Sequence, residues 1–383
     1  MDGIAGKKSG LTWAVHISVV LLVALWLFPT LGLLISSFRT ADQIAASGWW
    51  ASLFPSEQTV QYRTGAPDTQ VQEGTSFVIE GNVFDEAGED RADISAWGTS
   101  ARDVSAYAPG DTADMGDDGQ LTLQGDGTYR LVNDQEFEGR RGERMFVTKI
   151  TPPEFTLQNY RNVLGPENRE GMLKAFFNTL TVTIPATIIP ILVAAFAAYA
   201  LAWMDFPGRA LLIAAVVGLL VVPLQLALIP LLKLHNEVGI GKGYLGVWLA
   251  HTGFGLPLAI YLLRNYMVGL PRDIIENAKV DGATDFQIFM KIILPLSFPA
   301  LASFAIFQFL WTWNDLLVAL VFLIDATGET TVMTKQIVEL LGTRGGNWEI
   351  LATSAFVSIA VPLIVFFAMQ RYLVRGLLAG SVK

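Results

Sequence analysis

The chain has 383 residues, is 52% hydrophobic, carries a formal net charge of −9 and has a mean hydropathy of +0.44. That composition excludes an ordinary soluble domain and points to membrane-spanning helices, which satisfy their backbone hydrogen bonds internally in lipid. No cysteine is present, which removes disulfides, a thiolate nucleophile and cysteine metal sites; the three histidines, His16, His235 and His251, are scattered and form no two-histidine metal motif.

The negative charge is not spread evenly. Positions 38–174 hold 12 Lys and Arg against 23 Asp and Glu, which leaves 14 against 12 elsewhere from totals of 26 and 35. An acidic soluble block therefore interrupts a nearly neutral membrane protein, a balance that argues against nucleic acid as a partner.

The first apolar run, 11–36, follows Lys7 and Lys8. It is too long for the apolar core of a secretory signal and reads as an uncleaved first span. The acidic block, 41–154, reads as β-rich. "TSFVIEGNVF" is rich in β-branched and aromatic residues, and "GQLTLQGDGTYRLV" reads as two short strands around a Gly-Asp-Gly turn. The acids of "DTADMGDDG" do not have the spacing of a calcium loop and read as a solvated surface. "FTLQNYRNVL" then leads back toward the membrane as an interfacial helix.

Five further spans follow, at 173–204, 210–232, 244–266, 296–324 and 350–374, each long enough to cross about 30 Å of hydrocarbon. Pro190, Pro223, Pro230, Pro257 and Pro362 fall in these runs. They suit either a bundle that shifts or plain structural kinks covered by neighbouring helices. Short loops on one side hold Lys7, Lys8, Arg209, Arg264, Arg272, Lys279, Lys291, Arg371, Arg375 and Lys383, whereas those on the other hold Lys233, Lys242, Lys335 and Arg344. The positive side faces the cytoplasm, so both termini are expected there and the acidic block outside.

Between the fourth and fifth spans lies "ENAKVDGATDFQIFMKIILP", positions 276–295. Pro271 suits a first helical position, and Asp273 sits well in a first turn. A short helix to about Val280 is expected to end at Gly282, and "TDFQ" at 284–287 is a capping box for a second helix. Phe286, Phe289, Met290 and Ile293 share one face of it. Pro295 should stop it, because Leu294 before a proline avoids the helical region. Such a hairpin either docks a soluble partner or lies on lipid headgroups.

The stretch resembles the EAA motif of ATP-binding cassette importer permeases through Glu276, Ala278, Gly282, Ile292, Leu294 and Pro295, with Asn277 departing at the second position. "VVPLQLALIPLL", "LLRNYMVGLP", "FLWTWNDLLVAL" and "QRYLVRGLLAGSVK" are similar to the maltose-transporter G-subunit branch. The large first exterior block departs from most of that branch and is similar to alpha-glucoside permeases. The resemblance implies an all-α polytopic membrane protein with six transmembrane helices in the type I importer permease fold, a β-rich extracytoplasmic insert between helices 1 and 2, and a five-helix core at 155–383 following a first helix within 1–40. It implies a carbohydrate importer subunit in the bacterial cytoplasmic membrane. The implied partners are a second permease as heterodimer, two copies of an ATPase subunit and an extracytoplasmic sugar-binding protein. The hairpin, 271–295, becomes the coupling element, with Glu276, Ala278, Asp281, Gly282, Phe286, Phe289, Leu294 and Pro295 as coupling residues. This chain itself then binds no cofactor and no metal, and ATP is hydrolysed by the partner.

"NEVGIGKG" at 236–243 lacks the first glycine of a phosphate loop and ends in Gly243 where Ser or Thr is needed. Asp315 is the notable acid inside an apolar span, beside Asn314 and between Trp311, Trp313 and a Leu pair. An intramembrane acid points to a functional site, and aromatics with polar neighbours suit a sugar path. The competing reading is that Asn314 and Asp315 hold neighbouring helices together and the tryptophans form an interfacial belt. Gln225 and Gln308 are further pathway candidates. A membrane enzyme lacks a convergent acid, base and nucleophile set here, and a secondary transporter has only Asp315 as ion-coupling acid.

Overall fold

The structure is a computed structural model that describes residues 10–165, 171–324, 327–343 and 347–378. Lys7, Lys8, Arg344, Lys383 and the last residues of the similar tail lie outside the described residues. The chain divides into two compact units, Met1–Asn159 with Gly346–Glu349, and Tyr160–Gly345 with Ile350–Lys383.

The first unit begins with α1 (Gly10–Ser36), whose leucines, valines and Trp26 point outward along most of its length. After a tight turn come α2 (Ala41–Ala46), capped by the Thr40 hydroxyl, and a single 3-10 turn at Trp49–Ala51. Eight strands follow among the described residues: β1 (Ser56–Arg63), β2 (Val71–Glu73), β3 (Ser76–Asn82), β4 (Ile94–Gly98), β5 (Thr112–Asp114), β6 (Gln120–Leu123), β7 (Thr128–Asn133) and β8 (Arg144–Thr151). They form two antiparallel sheets, β1-β8-β4 and β2-β3-β7-β6-β5. Inward residues of both sheets build one core: Tyr62, Ile79, Trp97, Leu121, Leu131, Met145 and Val147 are buried there. The Gly-Asp-Gly segment turns β6 into β7, pairing Leu123 with Tyr129. β3 stops at Asn82, earlier than the apolar run suggests. The Asn82 side chain accepts the Phe84 and Asp85 N–H groups and starts a short helix, α3 (Val83–Ala87). Both ends of the sheet domain return to the end of α1. Thr156 N–H donates to the Phe38 carbonyl, and Asn159 Nδ2 donates to the carbonyls of Ser37 and Arg39 at 3.0 and 2.8 Å.

At the division lies α4 (Gln158–Leu164). The second unit is helical: α5 (Met172–Trp203), α6 (Arg209–Leu219), α7 (Leu224–Glu237), α8 (Tyr244–Val268), α9 (Arg272–Val280), α10 (Asp285–Ile288), a π-helical turn (Phe289–Ile293), α11 (Leu294–Leu296), α12 (Phe298–Trp313), α13 (Leu317–Phe322) and α14 (Met333–Thr343), with α15 (Trp348–Leu378) beyond. α5 and α8 form its spine. Ala194, Ala195, Ala198 and Ala202 of α5 are buried, and such small side chains let helices approach closely.

Among the described residues four helices are long and apolar enough to cross a membrane: Gly10–Ser36, Met172–Trp203, Tyr244–Val268 and Trp348–Tyr372. Two bent pairs raise this to six if each counts as one span. The apolar run at 210–232 is not one straight helix. It breaks at 220–223, and α6 and α7 meet at 112°. Pro223 has no N–H to continue the ladder. The run at 296–324 also departs from a single span, since it breaks at Asn314–Leu316 between α12 and α13.

Pro295 does not stop the second hairpin helix. Leu294 is helical at φ −61°, ψ −47°, and the helix continues to Leu296 before bending 69° into α12. The Leu294 N–H reaches back to the Phe289 carbonyl across a π turn. That wider turn changes the local ladder ahead of a proline that cannot donate to it.

Candidate functional site

Two places in the helical unit concentrate the predicted residues. The first is the hairpin α9–α10. Pro271 stands at the N-cap, one position before α9, and Asp273 lies in the first turn. The C-terminus closes in a Schellman motif: Gly282 N–H donates to the Lys279 carbonyl and Ala283 N–H to the Ala278 carbonyl, at 3.0 and 2.9 Å. Gly282 has φ +81°, with open space where a Cβ would stand. The turn therefore needs glycine for its backbone conformation and not for room. Two residues later Thr284 and Gln287 form the reciprocal capping box: Gln287 N–H donates to Thr284 Oγ1 at 3.3 Å and Thr284 N–H to Gln287 Oε1 at 2.9 Å.

One face of the hairpin is welded to the bundle. Ile275, Ile288, Phe289 and Ile293 are buried in the same cluster as the Ala-rich end of α5, and Ala278 and Leu294 pack against it. Phe289 meets the rings of Phe196 and Tyr199 at 4.6 and 5.3 Å. Asp285 accepts from the Tyr199 hydroxyl at 3.3 Å and lies 3.5 Å from Lys279 Nζ. The other face is open. Phe286 is 63% exposed and Val280 86%, and Met290, Asp281 and Pro295 are exposed as well. The shared apolar face expected of Phe286, Phe289, Met290 and Ile293 is thus split, because the π turn interrupts the 3.6-residue period after Ile288. Glu276 is exposed and takes Arg272 Nε at 2.8 Å, four residues back on its own helix.

The second place surrounds Asp315. Its Oδ2 accepts the N–H groups of Val318 and Ala319 at 2.9 and 3.2 Å, so it caps α13. Asn314 Nδ2 donates to the Leu310 carbonyl at 2.8 Å and closes α12. The pair manages the helix break between them. Gln308 is buried, and its Nε2 donates to the Ala186 carbonyl of α5 at 3.1 Å. A Cβ at Gly255 of α8 would lie 2.7 Å from Gln308 Oε1, so the glycine makes the passage for that amide.

His251 of α8 joins this group, which the sequence alone did not reveal. Its ring is fully buried, its Nε2 lies 3.7 Å from Asp315 Oδ2, and neither ring nitrogen has a hydrogen-bond partner. Trp311 packs edge-on against it at 5.7 Å. The available signal was an imidazole in an otherwise apolar helical run; its acidic neighbour comes from a different helix. Trp313 is instead a core residue, stacked on Phe309 and donating to the Ser358 carbonyl at 2.9 Å. Trp311 and Gln308 also line an apolar cleft of about 650 Å³ bounded by Leu220, Leu224, Phe254 and Phe307, at the α6–α7 bend. Gln225 is exposed and does not line it. Among the described residues no group of three or more His, Asp or Glu side chains is placed to hold a metal ion.

Residues 171–378 match the family described as the binding-protein-dependent transport system inner membrane component. The chain is 62% identical over 382 residues to the alpha-glucoside transport system permease protein AglG of Rhizobium meliloti (strain 1021), covering 98% of each chain. It is 59% identical over 230 residues to the osmoprotective compounds uptake permease protein GgtD of Synechocystis sp., covering 60% of this chain and 76% of that one. It is 35% identical over 240 residues to the trehalose transport system permease protein SugB of Mycobacterium tuberculosis, covering 61% and 85%. The chain therefore belongs to the binding-protein-dependent transport inner membrane family and has its type I importer permease fold. It is a permease subunit and not an enzyme.

Proposed function

We propose that this inner membrane permease is one half of the translocation path of an ATP-driven importer for an α-glucoside or related oligosaccharide. The observation that carries the substrate class is the 62% identity that runs the whole length of AglG, including the positions of the acidic block. A second reading, import of another small polar solute, has support from the 59% identity to the osmoprotectant permease over a shorter stretch.

In this reading the chain crosses the bacterial cytoplasmic membrane six times. The α6–α7 pair and α12 with α13 serve as the two remaining spans, both termini are cytoplasmic, and the β-domain forms an extracytoplasmic insert between the first and second spans. The Lys and Arg bias of the short loops supports the orientation. A second permease completes the path as a heterodimer, two ATPase subunits dock below, and a binding protein delivers sugar from outside. The chain binds no cofactor of its own.

The hairpin is the lever. Its inner face is fixed to α5, α8 and α12 through Ile275, Ile288, Phe289 and Ile293. A push on its outer face then moves helices instead of bending a loop. Glu276, Asp281 and Phe286 offer charge and a ring to the ATPase, while Ala278, Phe289, Leu294 and Pro295 transmit the motion and Gly282 keeps the two short helices at a fixed angle. Glu276 exchanges Arg272 for a basic residue of the ATPase, an exchange between exposed partners that costs little in water. The path candidates are Gln308, Trp311, Asn314 and Asp315, with Gln225 at the bend.

The test is uptake. A strain lacking its own α-glucoside importer, supplied with this chain and its neighbouring transport genes, is expected to take up radiolabelled α-linked disaccharides in an ATP-dependent way. Uptake of an osmoprotectant without any disaccharide uptake selects the second reading. Uptake that follows an ion gradient without ATP overturns both.

A further inference from the structure

We propose that the segment at positions 48–54, immediately before the β-domain, is a membrane foot that lies in lipid and holds that domain against the bilayer. The chain leaves α1 at Ser36, but it does not move away from the helix. Trp49 folds back onto α1: its ring lies 4.5 Å from that of Phe28, and its indole fills the space where a Cβ at Gly32 would stand, 2.7 Å from Nε1. Trp50 follows, 6.2 Å from Trp49 and stacked at 6.4 Å on Phe28. Gly32 and Phe28 stand four and eight residues before the end of α1, about 6 and 12 Å back along its axis at about 1.5 Å per residue.

The depth follows from length. The 27 residues of α1 span about 40 Å, roughly 10 Å more than a hydrocarbon core. A centred helix puts Gly32 at the hydrocarbon boundary and Phe28 inside it, so Trp49 and Trp50 sit where tryptophan belongs in a membrane protein. The adjoining side chains suit the same place. Trp50, Leu53 and Phe54 are each about two-thirds or more exposed, at 68%, 74% and 68%, and no charged residue lies between Asp42 and Glu57.

Of the nearest charged residues Arg39 is withdrawn, while Asp42, Glu57 and Glu154 are exposed at the edges of the segment. Arg39 is buried, and its guanidinium donates to the Gln43 and Ser47 carbonyls at 2.5 and 2.9 Å and to Ser47 Oγ at 2.6 Å. These bonds satisfy the end of α2 and reverse the chain toward α1. Phe155 and Leu157, exposed on the returning chain either side of Thr156, whose N–H donates to the Phe38 carbonyl, add apolar surface at the same end of α1. Lipid is the occupant because the patch is continuous with the lipid-facing side of α1 itself.

The proposal rests on α1 being a membrane span and on nothing about substrate or coupling. The chain has no cysteine, so a single introduced thiol is unique. The full-length protein carrying Leu53→Cys or Phe54→Cys is spin-labelled and reconstituted in phosphatidylethanolamine–phosphatidylglycerol vesicles. Collisions with oxygen, which enriches in lipid, are compared with those of a water-soluble nickel chelate. Asp68→Cys on the β-domain gives the water reference and Val20→Cys in α1 the lipid reference. A ratio for positions 53 and 54 several-fold above that of 68, and on the side of 20, is the expected result. A ratio equal to that of 68 overturns the foot. Low collision rates with both reagents mean protein covers the patch, and overturn it too. If position 20 itself reads as aqueous, the spanning assignment of α1 fails first and takes the foot with it.

Discussion

The β-domain keeps its large apolar side chains inside, whereas the helical unit carries them on both its interior and its surface. In the β-domain the large apolar groups are inside: Trp97, Phe84, Leu121 and Met145 are fully buried, while Arg130 pairs with Glu73 and Glu80 on the outside. In the helical unit Phe177, Leu192, Leu211, Leu226 and Ile364 are exposed, and the interior holds alanines, Thr183, His251, Gln308 and Ser354 beside Phe289, Phe304 and Trp313. Water drives the first arrangement by expelling apolar surface. In lipid no such drive acts between helices, so close approach of small residues and shared polar contacts hold the bundle. The two regions should therefore fail in different ways. The helical unit should be most sensitive where backbone geometry is fixed, the β-domain where volume is lost.

The largest effect is expected at Gly282. Its Cβ would meet nothing within 4 Å, so Gly282→Val tests conformation alone: a β-branched residue at φ +81° is strongly disfavoured. Substrate-stimulated ATP hydrolysis by the assembled transporter should vanish, while membrane insertion and complex yield stay normal. Gly282→Asn should keep part of the stimulation, since Asn tolerates this region. Full stimulation by the Val variant breaks the lever.

Trp97→Ala sharpens the contrast from the other side. The indole is fully buried and donates to the Ala108 carbonyl at 3.0 Å. Removing it should cost about 3–5 kcal/mol locally. Hydrogen exchange should speed in β4 and β8 with little change in α5 and α8. Equal loss of protection in the helices means the two units do not unfold separately.

Sequence reading worked where the chemistry is local and failed where it depends on partners far along the chain. Gly282 and the Thr284–Gln287 box announce their geometry because each uses atoms within a few residues, and so does the turn between β6 and β7. The bends do not announce themselves. The runs at 210–232 and 296–324 read as continuous because lipid-facing sequence is apolar on either side of a break, and the breaks lie in lost backbone bonds near Pro223 and at Asn314–Leu316, where side chains cap the two helix ends. The π turn before Pro295 parts Phe286 and Met290 from Phe289, which a helical period placed together. His251 meets Asp315 only through the packing of α8 against α12 and α13.

Asp315→Ala should have a smaller effect. It removes the acceptor for the Val318 and Ala319 N–H groups, and loss of such a cap costs about 0.5–2 kcal/mol. Asp315→Asn keeps an acceptor oxygen and loses the charge. If Asp315 is a cap only, Asn should restore yield, thermal stability and uptake together. If it also meets the sugar or His251 during transport, Asn should restore yield but leave uptake low. Uptake at the wild-type level in both variants removes Asp315 from the pathway.

The smallest effect concerns the surface of the β-domain, where an ion pair does in water what buried polar contacts do in the bundle. Lys149 Nζ donates to Glu89 Oε2 at 2.5 Å and to Tyr62 Oη at 3.1 Å, and Tyr62 Oη donates to the same carboxylate oxygen at 2.7 Å. The Lys149 hydrogen bond holds the Glu89 carboxyl below its ordinary range, against partial burial, and the Tyr62 hydroxyl adds to it. Burial opposes the Lys149 ammonium, but its bonds to Glu89 and Tyr62 outweigh that and raise its pKa. The signs define a window. Glu89 is lowered in the folded state, so its contribution is present above the ordinary glutamate range and lost as pH falls through the folded value. Lys149 is raised, so its contribution is present below the ordinary lysine range and lost as pH rises through the folded value. The pair therefore supports the domain at neutral pH and fails at both extremes. Glu89 is about 39% exposed on its side chain, so screening limits the pair to about 0.2–1 kcal/mol. Glu89→Gln should raise hydrogen exchange in β8 slightly at pH 7 and lose its difference from wild type in acid, with added salt shrinking the neutral-pH gap. A gap that persists unchanged in acid and high salt assigns the stabilisation to the packing of Tyr62 over Phe84 instead of to charge.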